Sequence, residues 1–109
     1  MKYLFLLHRA EDALPAPGSP EALAMFAAYG AAVAAMAKAG MLIDCAPLAP
    51  ISSSTTVRVR GGETILTDGP AAELKEQVGG YTIVEWAATM PSAKDTCVEV
   101  RPIVDTGRR

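Results

Sequence analysis

One histidine, two cysteines and no block of basic residues leave several classes of function without the groups they need. Cys45 and Cys97 are too few for a disulfide framework, and no Cys/His cluster has the spacing of a zinc site. His8 stands alone, which argues against a histidine-rich metal centre, and neither a metal nor another cofactor is expected. Net charge is −2, and the basic residues are scattered apart from the terminal Arg108-Arg109. Binding to nucleic acid through phosphate neutralisation therefore has no footprint. After Lys2 a short apolar run begins, but His8-Arg9 and Glu11-Asp12 interrupt it too early for a signal peptide. The residues that follow Ser19 are apolar but dominated by alanine, whereas a membrane span needs roughly 20 residues with larger side chains. A cytoplasmic protein without membrane or nucleic-acid partners is expected.

What is present suits one domain over residues 1–109, with little core to spare. Half the residues are hydrophobic, high for a monomer, which points to surface buried against a second subunit. Tyr3-Leu4-Phe5-Leu6-Leu7 is apolar at both parities, so a strand here has two faces to cover. Ser19-Pro20-Glu21 is a helix start, with a hydroxyl cap, a proline at the first helical position and an acid in the first turn. That helix runs to about Ala39 and stops at Gly40, with Phe26, Tyr29/Gly30, Val33 and Met36/Ala37 as its apolar stripe. Met41-Leu42-Ile43 opens a short strand that Pro47 and Pro50 restrict to a sheet edge or a loop. Thr55 to Arg60 alternates strictly, and Gly61-Gly62 turns it into the strand Glu63 to Thr67.

The densest run of geometry-setting residues is Thr67-Asp68-Gly69-Pro70. Gly69-Pro70 ends the strand, and Pro70 suits the first position of a helical turn capped by Gly69. Gly79-Gly80 reads as a break before the strand Tyr81 to Glu85. Trp86 to Met90 has room for one helical turn, and Thr96 to Ile103 is a last strand with Val98 and Val100 facing away from Glu99 and Arg101. The order predicts an α+β fold: a ferredoxin-like antiparallel sheet, one long helix at about 20–39 and a shortened second helix at about 86–90. Helices cover one face. The other is left for a second subunit, with a semi-polar cavity between.

These same pieces carry a family resemblance. Met1 to His8, Thr55 to Arg60, Thr67-Asp68-Gly69-Pro70, Lys75 to Tyr81 and Val98-Glu99-Val100-Arg101-Pro102 resemble, in order, YCII-related proteins of the DGPF type. The resemblance implies a dimeric α+β barrel whose subunits face each other through their sheets. It also implies a His–Asp pair, a related dehydrochlorinase-like branch, and a neighbourhood of extracytoplasmic-function sigma factors. Two departures stand out. Ala71 replaces the phenylalanine that usually follows Gly-Pro, and Glu85 joins Trp86 directly where the family has an acidic, Leu-rich helical segment. The loss of roughly two helical turns predicts a stub in place of the second helix.

The candidate dyad is His8 with Asp68, each at a strand end: His8 as acid or base, Asp68 orienting it. A loop-bonded histidine and a turn aspartate would explain the same residues without chemistry. Arg58, Arg60 and Arg101 are candidates for holding a carboxylate or phenolate, or else for cross-strand pairing with Glu63 and Glu99. Tyr29 and Tyr81 are candidate pocket walls that packing alone also accounts for. Lys75 and Glu76 read as a solvated face, and Cys97 as core. Two functions are consistent with this: a small enzyme doing acid–base or lyase chemistry on an acidic or aromatic molecule between subunits, or a non-catalytic dimeric module that binds a ligand or serves sigma-factor signalling.

Overall fold

Helix α1 (Pro20–Lys38) starts and stops where its terminal residues dictate. The Ser19 hydroxyl accepts the Ala22 N–H at 3.2 Å, and Pro20 occupies a position whose N–H would have no partner. At the other end Gly40 takes φ +74°, so the Gly40 N–H reaches the Ala37 carbonyl and the Met41 N–H reaches that of Met36. That pair of bonds is a Schellman stop, and only glycine takes this conformation without strain.

The computed structural model describes residues 1–85 and 97–107. Strands β1 (Tyr3–Arg9), β2 (Leu42–Pro47), β5 (Gln77–Val84) and β6 (Cys97–Pro102) form one antiparallel sheet in the order β2-β5-β1-β6. Strands β3 (Thr55–Arg60) and β4 (Glu63–Asp68) pair only with each other, as a separate hairpin. β1 is central and β2 lies at the edge, as its prolines require. This strand order, with one long helix among the described residues, is that of a ferredoxin-like α+β fold.

Antiparallel partners share a face, so the register sorts the side chains. One face carries Phe5, Leu7, Val84, Val98 and Val100, and α1 closes it with Tyr29, Val33 and Met36. The other face carries Leu4, Leu6 and His8 of β1, Tyr81 and Ile83 of β5, and Glu99 and Arg101 of β6. No helix among the described residues covers it, and Leu4, Leu6, Tyr81 and Ile83 are only half-buried. α1 is long and apolar enough by length and composition to cross a membrane. Here it is the crossover between two strands of one sheet and packs on that sheet.

Three expectations need correction. Phe26 is 62% exposed and drops out of the expected stripe, while Tyr29, Val33 and Met36 of that stripe do pack on the sheet and Ala22 is buried as well. Gly79-Gly80 does not break the chain: β5 runs through both, and the register with β1 shifts between Leu7 and His8. This is a β-bulge, and both glycines have close neighbours. A Cβ on Gly80 would lie 3.2 Å from the Ala46 carbonyl oxygen, and one on Gly79 3.0 Å from Arg9 Nε. Pro70 starts no helical turn; Gly69, at φ +106°, donates its N–H to the Ser54 carbonyl at 2.8 Å and closes the root of the hairpin. The shortened helix expected at 86–90 lies outside the described residues.

Candidate functional site

The bulge in β5 sits opposite the point where β1 delivers His8 to the open face. Bulges re-aim the side chains beside them. His8 is paired in register with Cys97, and Glu99 stands two residues further along β6 on the same face. His8 Nε2 lies 3.3 Å from Glu99 Oε1, and Glu99 Oε2 lies 3.8 Å from Arg101 Nε. One carboxylate is thus shared between an imidazole and a guanidinium. With Glu99 accepting the Nε2 proton, Nδ1 carries the lone pair of the neutral ring.

An open cavity of about 590 Å³ is lined by His8, Glu99, Cys97, Leu74 and Glu76. His8 is 23% exposed and Glu99 47%, so the pair is wet on one side and backed by the sheet on the other. Two carboxylates, Glu76 and Glu99, and one histidine line the cavity, and among the described residues Arg101 pairs only with Glu99. That balance is unfavourable to a carboxylate ligand and compatible with a neutral molecule carrying one acidic proton. Leu74, 60% exposed, offers it an apolar wall.

The expected site residues divide between this cavity and other places. His8 is in it, but its carboxylate is Glu99: no hydrogen bond or ion pair joins His8 to Asp68 among the described residues. Asp68 is exposed at the end of β4, in register with Thr55, because β4 pairs with β3 and never enters the main sheet. Arg58 is half-buried at the hairpin root, where Nη2 donates to the Ala71 carbonyl at 3.0 Å. Arg60 is exposed near the hairpin tip, and Nη1 donates to the Val59 carbonyl at 3.3 Å. Arg101 reaches the site through Glu99. Tyr29 is in the helix layer, on the opposite side of the sheet from His8. Its hydroxyl accepts from Arg9 Nη2, and the guanidinium lies 5.2 Å from the ring centroid. Cys97 is exposed in the cavity and is not core; Glu76, expected on a solvated face, is exposed and lines the same cavity.

Tyr81 is on the open face, and its hydroxyl donates to Asp44 Oδ2 at 3.1 Å. That hydrogen bond, reinforced by the charge of Asp44, raises the phenol above its usual value of 10.0. A phenol raised on folding contributes stability below its unfolded value and loses it as pH rises through the folded one. The difference in absorbance titration between wild type and Tyr81→Phe should give a midpoint above 10.0, and Asp44→Asn should bring it back towards that value. An unchanged midpoint in Asp44→Asn would show that the hydrogen bond does not hold the proton.

A family model described as the YCII-related domain matches residues 1–106. The chain belongs to the YCII-related family. An uncharacterised protein of Rhizobium meliloti (strain 1021) is 43% identical over 51 residues, which are 47% of this chain and 41% of that protein. The match spans less than half of that relative's length, and its name assigns no activity. The YCII-related match runs through every described strand, from β1 with His8 to β6 with Glu99.

Proposed function

We propose that this YCII-related protein is a small acid–base catalyst, of lyase or proton-transfer type, acting as a cytoplasmic homodimer. One observation carries the reading: the sole histidine sits at a cavity mouth with Nε2 3.3 Å from a carboxylate, Glu99. A positioned imidazole near neutrality is the commonest proton-transfer group, and an adjacent carboxylate orients it and stabilises its protonated form. Glu99 takes the role the sequence suggested for Asp68. The substrate class that fits is a small aromatic or largely apolar molecule with one acidic C–H or O–H. The homodimer is supported by the uncovered sheet face, and the corner at Thr67-Asp68-Gly69-Pro70 supports placement in the DGPF-type branch.

A second reading, a non-catalytic dimeric module for ligand binding or sigma-factor-linked regulation, is favoured by the openness of the cavity in a single copy. A thermal-shift screen of small phenols, carbon acids and aromatic carboxylates on wild type and His8→Ala separates them. A compound that stabilises wild type but not His8→Ala, and is then converted, supports the enzyme. A compound that binds through His8 without conversion supports the module. Stabilisation by these compounds that is equal in the two proteins would overturn the assignment of the site to His8.

A further inference from the structure

The β3–β4 hairpin is an arm without a core of its own. Its two six-residue strands pair only with each other, and an isolated two-stranded hairpin is marginal in water. Yet β3 alternates as if one face of the hairpin were to be buried. Val57 pairs with Leu66 and Val59 with Thr64, which puts Val57, Val59 and Leu66 on one face. Their exposures are 59%, 61% and 67%. The whole chain is correspondingly extended: its radius of gyration is 16.2 Å, where a compact chain of this length has about 13 Å.

The arm is fixed at its root rather than loosely tethered. Gly69 N–H to the Ser54 carbonyl, Thr56 Oγ1 to the Gly69 carbonyl and Arg58 to the Ala71 carbonyl lock the exit. From there a few residues lead to Leu74, which lines the cavity with His8 and Glu99 on the open face of the sheet. The segment that leaves the arm thus borders the open face, and a second copy seated on that face comes within a few residues of the arm's root. Three side chains of this size, about 60% exposed, offer roughly 100–200 Å² of apolar surface. A stable interface needs about 800 Å² from each partner. The arm is thus too small to be an interface and the right size to extend one made by Leu4, Leu6, Tyr81 and Ile83.

We infer that the β3–β4 arm is an intersubunit clasp: in the homodimer its Val57–Val59–Leu66 face packs on the open sheet face of a second copy of this chain. Two-fold symmetry makes each copy give one arm and receive one, so each substitution acts twice. The inference rests on the homodimer proposed above and adds to it which element closes the cavity. The test is the dimer dissociation constant by sedimentation for wild type, V57K/L66K, the milder V57S/V59S/L66S, and L6K on the sheet face. Far-UV circular dichroism establishes that each variant is folded. The arm variants should weaken the dimer by about 30-fold or more, and L6K should do so as well. In a C45S/C97S background, the thiol introduced by V59C should be alkylated at least about tenfold more slowly in the dimer than after dilution to monomer. A dimer that L6K dissociates, but that both arm variants leave intact with the V59C thiol fully reactive, would overturn the clasp and leave the homodimer standing. A monomeric wild type would overturn both.

Discussion

Replacing Phe5 with alanine is expected to cost about 3–5 kcal/mol of folding stability. Phe5 is 1% exposed at the centre of β1, and among the described residues the buried apolar side chains clustered with it are Leu7, Met36 and Val84. The loss has two parts, the transfer of the ring from water and the hole left beneath α1, which Tyr29, Val33 and Met36 cannot fill without moving the helix. Domains of this size have about 5–15 kcal/mol in total, so the variant should be near its threshold. Phe26→Ala is the matched control: the same chemical change on the same sheet-helix unit, at a side chain 62% exposed. Surface substitutions usually stay within about 0.5 kcal/mol. Urea denaturation at one fixed protein concentration reads both, since association would otherwise move the midpoint. Equal losses in the two variants would mean that the helix is docked by its other face.

The same contrast shows what was legible in the sequence. The helix ends were, because Ser19, Pro20 and Gly40 act on backbone groups within a few residues of themselves. The two-sided β1, the edge position of β2 and the inward Val98 and Val100 were also legible, since parity and proline placement are local statements about a strand. The docking side of α1 was legible in Tyr29, Val33 and Met36, but the exposure of Phe26 was not. Phe26 stands at helical spacing with them, and only the packing on the sheet shows that it stays outside. Gly79-Gly80 shows a different limit. A glycine pair is the same local signal for a break as for a bulge, and only the approach of Ala46 and Arg9 distinguishes them.

The site was half legible. His8 was singled out by being the sole imidazole at the end of a central strand, and nothing in its neighbourhood along the chain reveals its partner. Glu99 is 91 residues away, and its meeting with His8 depends on the β1–β6 register. Asp68 had the more conspicuous local setting, but the hairpin that carries it closes on itself. The parity of β6 did place Glu99 and Arg101 opposite Val98 and Val100, on the face where a partner for His8 had to be sought.

That pairing makes the second large effect specific. With a substrate in hand, His8→Ala should lower kcat/KM by about 10²–10⁴-fold. In the step this requires, Nδ1 takes the acidic proton while the substrate keeps the electron pair, and the imidazolium later returns the proton to the product or the leaving group. Glu99 touches neither proton directly; it holds Nε2–H and offsets the charge that appears on the ring. Because the carboxylate is 47% exposed, water screens that effect, and Glu99→Gln should cost about tenfold, mostly in kcat. It should leave folding stability within about 0.5 kcal/mol, as expected for an exposed pair. A merely structural ion pair would leave kcat untouched. Asp68→Asn is the remaining comparison, since Asp68 has no bond to His8 among the described residues: kcat close to wild type assigns the orienting carboxylate to Glu99. A loss in Asp68→Asn as large as that in His8→Ala would return the role to the hairpin and require that a partner's arm bring it there.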